Sequence, residues 1–228
     1  MTFCSLTPRV HYLSHDPARD RPLLGYIQGD RHTLAIDAGY SAAHVWDFYR
    51  TLGNQGLPLP EFTVLTHWHY DHTFGLHAVH GLRIAHQRTN DFLYQQQRLA
   101  RDPAYLAQLR AEDPHFRLEY PDPSKVCIQL ADLTFPDSLT LDLGHCTARI
   151  FHTPSPHSED TTCILIPEEG VLFLGDATSE DFFNNGYMDR AKLTHLTDTI
   201  RSIDCSLCVL SHCDPLSKAD LLAYLESL

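Results

Sequence analysis

The chain has 228 residues, 43% hydrophobic and 20% charged, which suits a globular protein with a sizeable core in one large domain or two small ones. Its formal charge of −12, its three lysines (Lys125, Lys192, Lys218) and the lack of any basic run argue against a nucleic-acid groove. No stretch nears the roughly 20 apolar residues that span a bilayer, so no membrane partner is expected.

The amino terminus, Met1 to Pro8, lacks the charged and apolar regions of a secretory signal. Seven cysteines, an odd number, suit free thiols in a reducing compartment, and a cytoplasmic location is expected. Cys205 and Cys208 form a C-x-x-C pair with Cys213 close behind. No second pair completes a four-sulfur site, so buried thiols flanking a strand are the expectation.

Val10 to Leu13, Leu23 to Gln28 and Thr33 to Ile36 read as strands, with Gly29-Asp30 as a hairpin turn. Ala42 to Leu52 carries helical spacing through Ala43, Trp46, Phe48 and Tyr49. Phe62 to Thr66 is a short apolar run typical of a buried strand. Thr73 to Val79 reads as the start of a helix, and Leu82 to Ala85 as a strand. Residues 87–119 differ in character. Gln87 to Arg98 and Ala104 to Ala111 are polar helices whose stripe is Phe92, Leu93, Leu99, Tyr105, Leu106 and Leu109, broken by Asp102-Pro103. Such a stripe must be buried, either against the core, in a homodimer contact, or as a lid over a site.

The second half predicts strands at Val126 to Gln129, Leu139 to Leu143, Ala148 to His152, Thr162 to Ile166, Val171 to Leu174 and Leu207 to Leu210. Helices are expected at Ala191 to Arg201 and Lys218 to Leu228. Strands therefore come in two groups, each followed by helix, which implies two packed sheets with helices outside, within one domain spanning 1–228.

The chemistry concentrates in His67-Trp68-His69-Tyr70-Asp71-His72, directly after the Phe62 to Thr66 run. Alternate side chains of extended backbone share a face, so His67 and His69 point the same way, while Asp71 and His72 follow a turn. One strand end can thus offer two nitrogens to one cation, and an oxygen and a nitrogen to another. Imidazole and carboxylate suit a borderline divalent ion such as zinc. Further donors lie just past other apolar strands. His157 follows the Pro-rich turn Thr153-Pro154-Ser155-Pro156, Asp176 follows Val171 to Gly175, and His212 follows Cys208 to Ser211. Gly175 permits close approach of backbone to a site.

The order H-x-H-x-D-H, a His after a Pro-rich turn, Gly175-Asp176-Ala177, and a His after a late strand resembles the metallo-β-lactamase superfamily from Asp37-Ala38-Gly39 to His212. That resemblance implies an α/β fold, a four-layer αββα sandwich of two mixed sheets with a dinuclear metal site along one edge. It implies one ion on His67, His69 and His157, a second on Asp71, His72 and His212, and Asp176 bridging both. It gives Asp37 a bracing role. Two departures stand out. Thr153-Pro154-Ser155-Pro156-His157 replaces the usual T-P-G-H, which makes His152 a rival donor, and Ser211-His212 replaces G-H.

Zinc is the first expectation for the two divalent ions, with iron or manganese as alternatives. Two neighbouring ions would lower the pKa of a bridging water from about 15.7 toward 7 or 8, with Asp71 as the catalytic group that orients it and passes on a proton. The expected activity is hydrolysis of a small-molecule ester, thioester, lactone or related acyl substrate. Asp176, where true β-lactam hydrolases of the cysteine-ligand class carry cysteine, lowers antibiotic cleavage. Only a short tail follows His212, which disfavours hydroxyacylglutathione unless residues 87–119 substitute for the added helical domain of its hydrolases. The competing readings are a phosphodiesterase or nuclease of the same fold, a di-iron redox protein, and a non-catalytic metal-binding protein, which has little reason to keep all seven donors. His77, His80, His86 and His145 are expected as surface or helix residues. Tyr187 and Lys192 lie where a loop could reach the site, but the segment also reads as a plain helix, and neither receives a role.

Overall fold

Strand alternation sets the layers. The computed structural model describes residues 1–228. The first half forms strands β1 (Phe3–Ser5), β2 (Val10–Leu13), β3 (Leu24–Gln28) and β4 (Thr33–Ile36), helix α1 (Ala42–Asn54), strand β5 (Phe62–Val64), helix α2 (Tyr70–Thr73) and strand β6 (Leu82–His86). Helices α3 (Gln87–Leu99), α4 (Pro103–Glu112) and α5 (Pro114–Glu119) and strand β7 (Leu133–Phe135) follow. The second half contains β8 (Ser138–Asp142), β9 (Thr147–His152), β10 (Thr162–Ile166), β11 (Val171–Gly175), α6 (Arg190–Ser202), β12 (Leu207–Leu210), β13 (Leu216–Ser217) and α7 (Lys218–Ser227).

One sheet runs β1 to β7 in sequence order; the other runs β13-β12-β11-β10-β9-β8. The first is antiparallel up to β4 and parallel from β4 to β7. In the second, β11 and β12 are parallel and the other pairs antiparallel. Ile27, Leu34, Ile36 and Val64 of the first sheet meet Ile150, Ile164, Phe173 and Val209 of the second in the central core. The alternate residues face outward. Tyr26 and Ala35 pack on Phe48 and Leu52 of α1, while Leu172 and Leu174 pack on Leu193 and Leu196 of α6. Strand β11, buried on both faces, is accordingly apolar at every position. The result is an αββα sandwich of two mixed sheets.

Three expectations need correction. Val126 to Gln129 is not a strand. Val126, Ile128 and Leu130 press instead on the helical layer, and the backbone carbonyl of Ile128 accepts from Gln97 Nε2 at 2.7 Å. The strand in that region is β7, paired parallel with β6. Thr73 to Val79 does not form one helix either. It splits into the end of α2 and a 3-10 turn at Leu76–Ala78, as the Gly75 N–H donates to the Gly39 carbonyl at 3.0 Å rather than back into the helix. Finally, His86 is neither exposed nor loosely placed. It is buried at the start of α3, with Nε2 donating to the Pro136 carbonyl at 2.7 Å.

Residues 87–119 are anchored from several sides. Leu93, Leu106, Phe116 and Tyr120 are buried with Tyr40, Leu65 and Phe74. Asp102 and Asp113 cap α4 and α5, each followed by proline at the first helical position. The buried Arg21 guanidinium then ties α5 to α1 through Glu119 (2.6 and 3.0 Å) and Asp47 (3.0 Å).

Candidate metal centre

Four of the strands that feed the site are parallel partners, and their carboxyl ends face one another across the two sheets. Strand β4 ends at Asp37, β5 leads to His67, β11 ends at Gly175-Asp176, and β12 leads to Ser211-His212. Backbone bonds tie these ends together: Thr162 N to Thr66 O at 2.7 Å, Leu23 N to Ser211 O at 2.8 Å, and Ser211 N to Gly175 O at 3.2 Å. Gly175 has φ +58°, and a Cβ there would lie 2.8 Å from Thr66 Cβ and Oγ1, so glycine is required.

The donors gather into two groups. His67, His69 and His157 form one; Asp71, His72, Asp176 and His212 form the other, with the donor atoms of each group within 4.8 Å of one another. Asp176 spans both groups. Its Oδ2 lies 3.3 Å from His212 Nε2, 3.4 Å from His72 Nε2 and 3.8 Å from His157 Nε2. His69 presents Nδ1 to His157 Nε2 at 3.0 Å, and its backbone carbonyl accepts from Thr73 Oγ1 at the same distance. All seven residues that the sequence singles out therefore converge at one place. His152 does not. Its ring stacks on His86 with centroids 4.4 Å apart, and its Nε2 pairs with the Glu159 carbonyl.

Outer partners fix the imidazoles. Asp37 sits at φ +65°, a region Asp tolerates better than most side chains, and is 3% exposed. Its Oδ1 accepts the Thr66 N–H at 2.7 Å; its Oδ2 accepts the Thr66 hydroxyl at 2.9 Å and His72 Nδ1–H at 2.8 Å. That bond leaves His72 Nε2 facing Asp71 and Asp176. His157 Nδ1–H donates to the Glu180 carbonyl at 2.8 Å. The extra residue in the Pro-rich turn is absorbed by Ser155, whose hydroxyl engages Ser158 and Thr161.

Burial and neighbouring imidazoles drive His67 well below the ordinary histidine range, and the same causes take His69 down to about 3. Burial also opposes charge on His72 and His212, yet the nearby carboxylates outweigh it. His72 is held well above its ordinary value by Asp71, Asp176 and Asp37, and His212 is raised to about 10 by Asp176 and Asp71. Burial likewise opposes the charge on Asp71 and Asp176, but His72 and His212 hold both well below the carboxylate range.

His67 Nε2 is the atom that tests the fit to a metal. Its Nδ1 pairs with Thr66 Oγ1 at 3.0 Å, while Nε2 is buried with no protein partner in a side chain 1% exposed. An orphan of that kind costs stability unless something absent from the polypeptide completes it. The mixed imidazole and carboxylate donors suit a borderline divalent ion. The residues fit a metal.

A cavity of about 640 Å³ opens over the two groups. Phe182 and Phe183 form one wall, with Phe183 4.8 Å from both the His69 and Trp68 rings. The α4–α5 corner forms an adjoining wall through Leu109, Glu112 and Asp113. Residues 87–119 therefore bury part of their stripe, Leu93 and Leu106, in the core, leave Leu99 exposed, and line the cavity. Neither Tyr187, which is exposed, nor Lys192 lines it.

Several of these residues escape a reading of the sequence. Asp20, at φ +54°, places its carboxylate 3.5 Å from His212 Nδ1. Nothing in the sequence around it links it to a strand end. Asp113 is legible as a helix cap, but not as the acceptor for Tyr70 at 2.6 Å. Phe182-Phe183 lies beside the turn residues Asn185-Gly186, the one local hint of a projecting aromatic loop.

Residues 24–212 match the family model described as the metallo-beta-lactamase superfamily. A curated relative, an atrochrysone carboxyl ACP thioesterase of Passalora fulva, is 27% identical over 216 residues, covering 91% of this chain and 53% of the relative. A protein of the same description from Aspergillus fumigatus is 27% identical over 183 residues, covering 80% and 48%. The chain thus spans about half the length of the curated relatives it matches. Among solved structures, a metallo-beta-lactamase from Pontibacter korlensis superposes with a TM-score of 0.66 at 16% identity, covering 100% of this chain and 99% of that one. At that identity, the likeness concerns the fold.

Proposed function

Because this chain belongs to the metallo-beta-lactamase superfamily, we propose that it is a metal-dependent hydrolase of a small ester, thioester, lactone or related acyl substrate. His67, His69 and His157 would hold one ion, Asp71, His72 and His212 a second, and Asp176 would bridge them, with zinc the first choice and iron or manganese the alternatives. The observation that carries this reading is the convergence of all seven donors into two adjoining groups, one of which contains the unpartnered Nε2 of His67. When bound, two divalent ions supply a nucleophile at neutral pH and polarise the acyl oxygen.

The protein's own residues do the rest. Asp37, Thr66 and the Glu180 carbonyl hold the imidazoles in the tautomers that aim a free nitrogen inward. Asp71, held ionised by His72 and His212 against its own burial, is placed to orient the attacking water and to carry its proton to the leaving group. Phe183 and Trp68 shield one side of the site from solvent. The thioesterase names of the curated relatives favour acyl over phosphoryl transfer. A small-molecule substrate, a cytoplasmic setting and a homodimer remain parts of the same proposal. No helix is long and apolar enough to cross a membrane.

The test compares p-nitrophenyl acetate and a thioester with bis-p-nitrophenyl phosphate, using metal-loaded protein and its His69→Ala and Asp176→Ala variants. Acyl turnover that disappears, together with bound metal, in both variants is the expected result. Turnover of the phosphodiester alone would move the assignment to the phosphodiesterase reading, and wild-type rates in either variant would refute the ligand set.

A further inference from the structure

We propose that the substrate carries an alkylammonium cation, held above the metal centre between the aromatic faces of Phe182 and Phe183 and the carboxylates of Asp20, Glu112 and Asp113. This rests on the hydrolase reading of the cavity floor and adds the chemistry of its walls. The floor is independently a place for a ligand: His69 and His157 line it, and their donor atoms group with that of His67, whose Nε2 is buried and unpartnered.

The walls are of two kinds. Phe182 and Phe183 are 61% and 56% exposed, although aromatic rings are the side chains a fold gains most from burying. Phe183 is held in place against Trp68 and His69 and lines the cavity. It also meets Tyr70 edge-on with centroids 6.3 Å apart, and Tyr70 donates its hydroxyl to Asp113. Aromatic wall and acidic corner are therefore one continuous surface. Asp113 is rigid there, since its Oδ1 also caps α5 through the N–H groups of His115 and Phe116.

Five carboxylates line the cavity, and no lysine or arginine does. Asp71 and Asp176 belong to the donor set, which leaves Asp20, Glu112 and Asp113 on the rim. Their only nearby imidazole outside the donor set is His115, 3.8 Å from Asp20. Glu112 is exposed and bonded only by Gln108, so its charge is free to meet a ligand. A substrate with a carboxylate or phosphate away from its scissile bond would face three like charges. A quaternary or protonated amine would gain cation–π contact with the phenylalanines and Coulomb attraction from the rim together.

The test uses phenylacetate esters of choline, of its uncharged isostere 3,3-dimethylbutanol, and of 4-hydroxybutanoate, with the metal-loaded protein at low and high ionic strength. At low ionic strength, kcat/KM should favour the choline ester over the isostere by roughly tenfold, the worth of one exposed cation–π contact plus partly screened charges. The ratio should shrink in high salt, in Glu112→Gln and in Phe183→Ala. Equal rates for the charged and uncharged esters, or preference for the carboxylate ester, would overturn the proposal while leaving the hydrolase reading intact. If these esters, p-nitrophenyl acetate and the thioester all failed to turn over, the hydrolase reading would fail. Calorimetry with benzyltrimethylammonium would then decide separately: saturable heat that salt and Glu112→Gln both suppress supports the cation site, and absence of saturable heat overturns it.

Discussion

Replacing Asp37 with asparagine isolates the role of one buried carboxylate. Asparagine tolerates φ +65° as aspartate does, so the backbone has no reason to move. The Thr66 N–H demands an acceptor at the position of Oδ1 and so orients the amide, which places the NH₂ group where Oδ2 accepted from Thr66 and His72. His72, protonated on both nitrogens in the metal-free protein, then faces a donor and must give up the proton on Nδ1, keeping the one on Nε2 toward Asp71 and Asp176. Two hydrogen bonds to a charged group are altered, one of them to a ring that can compensate, so the folded state should lose about 2–4 kcal/mol. Outer partners of ligating histidines are worth about 10–100-fold in metal affinity, and here the loss should fall on one ion only. Stepwise chelator competition should show the equivalent held by Asp71, His72 and His212 weakened by that factor, while the three-histidine equivalent keeps its affinity. Equal affinity for both equivalents in variant and wild type would refute the bracing role of Asp37.

Metal uptake at neutral pH should expel about two protons, one each from His72 and His212, because both must be neutral to ligate. Calorimetry in buffers of different ionisation enthalpy measures this, and proton-free uptake would contradict the raised values. The same shift has a stability signature. With His212 raised from 6.5 to about 10, its contribution to the metal-free fold is fully present below pH 6.5 and disappears as pH rises through about 10. Melting of the metal-free protein should therefore drop between pH 7 and 10, with no matching drop in the loaded protein. Gly175→Ala should cost about 2–4 kcal/mol in urea denaturation, from the left-handed backbone and the contact with Thr66. Asp160 is fully buried with one unpartnered oxygen, and burial pushes its carboxyl up to about 6. Ionisation therefore costs folded stability as pH rises through 6, and Asp160→Asn should raise the melting temperature at pH 8 with little effect at pH 4.

Elements whose apolar pattern agrees with their neighbours could be read from the chain alone. Strands β3, β4, β10 and β11 and helices α1, α6 and α7 stand where periodicity places them, since the apolar positions of each are buried in the core. Val126 to Gln129 shows the limit of that method. Its alternation is real, but it meets helices and not a strand, and alternation does not say what lies opposite. Strands β1 and β13 are too short to carry a pattern.

At the site, the seven donors were visible because each sits at or just past the end of an apolar run, a local feature that strand geometry imposes. Their joining into two groups depends on parallel pairing of β4 with β5 and of β11 with β12, and on the packing of one sheet against the other. The cavity's character has a still more distant origin. Asp20, Glu112 and Phe183 belong to three separate segments with no shared motif, and they line one cavity only after α4 and α5 dock on the core through Leu106, Phe116 and Arg21. Ligand identity was therefore written in short-range order, whereas the walls that choose a substrate arise from contacts between residues as far apart as 20 and 183, which no local pattern encodes.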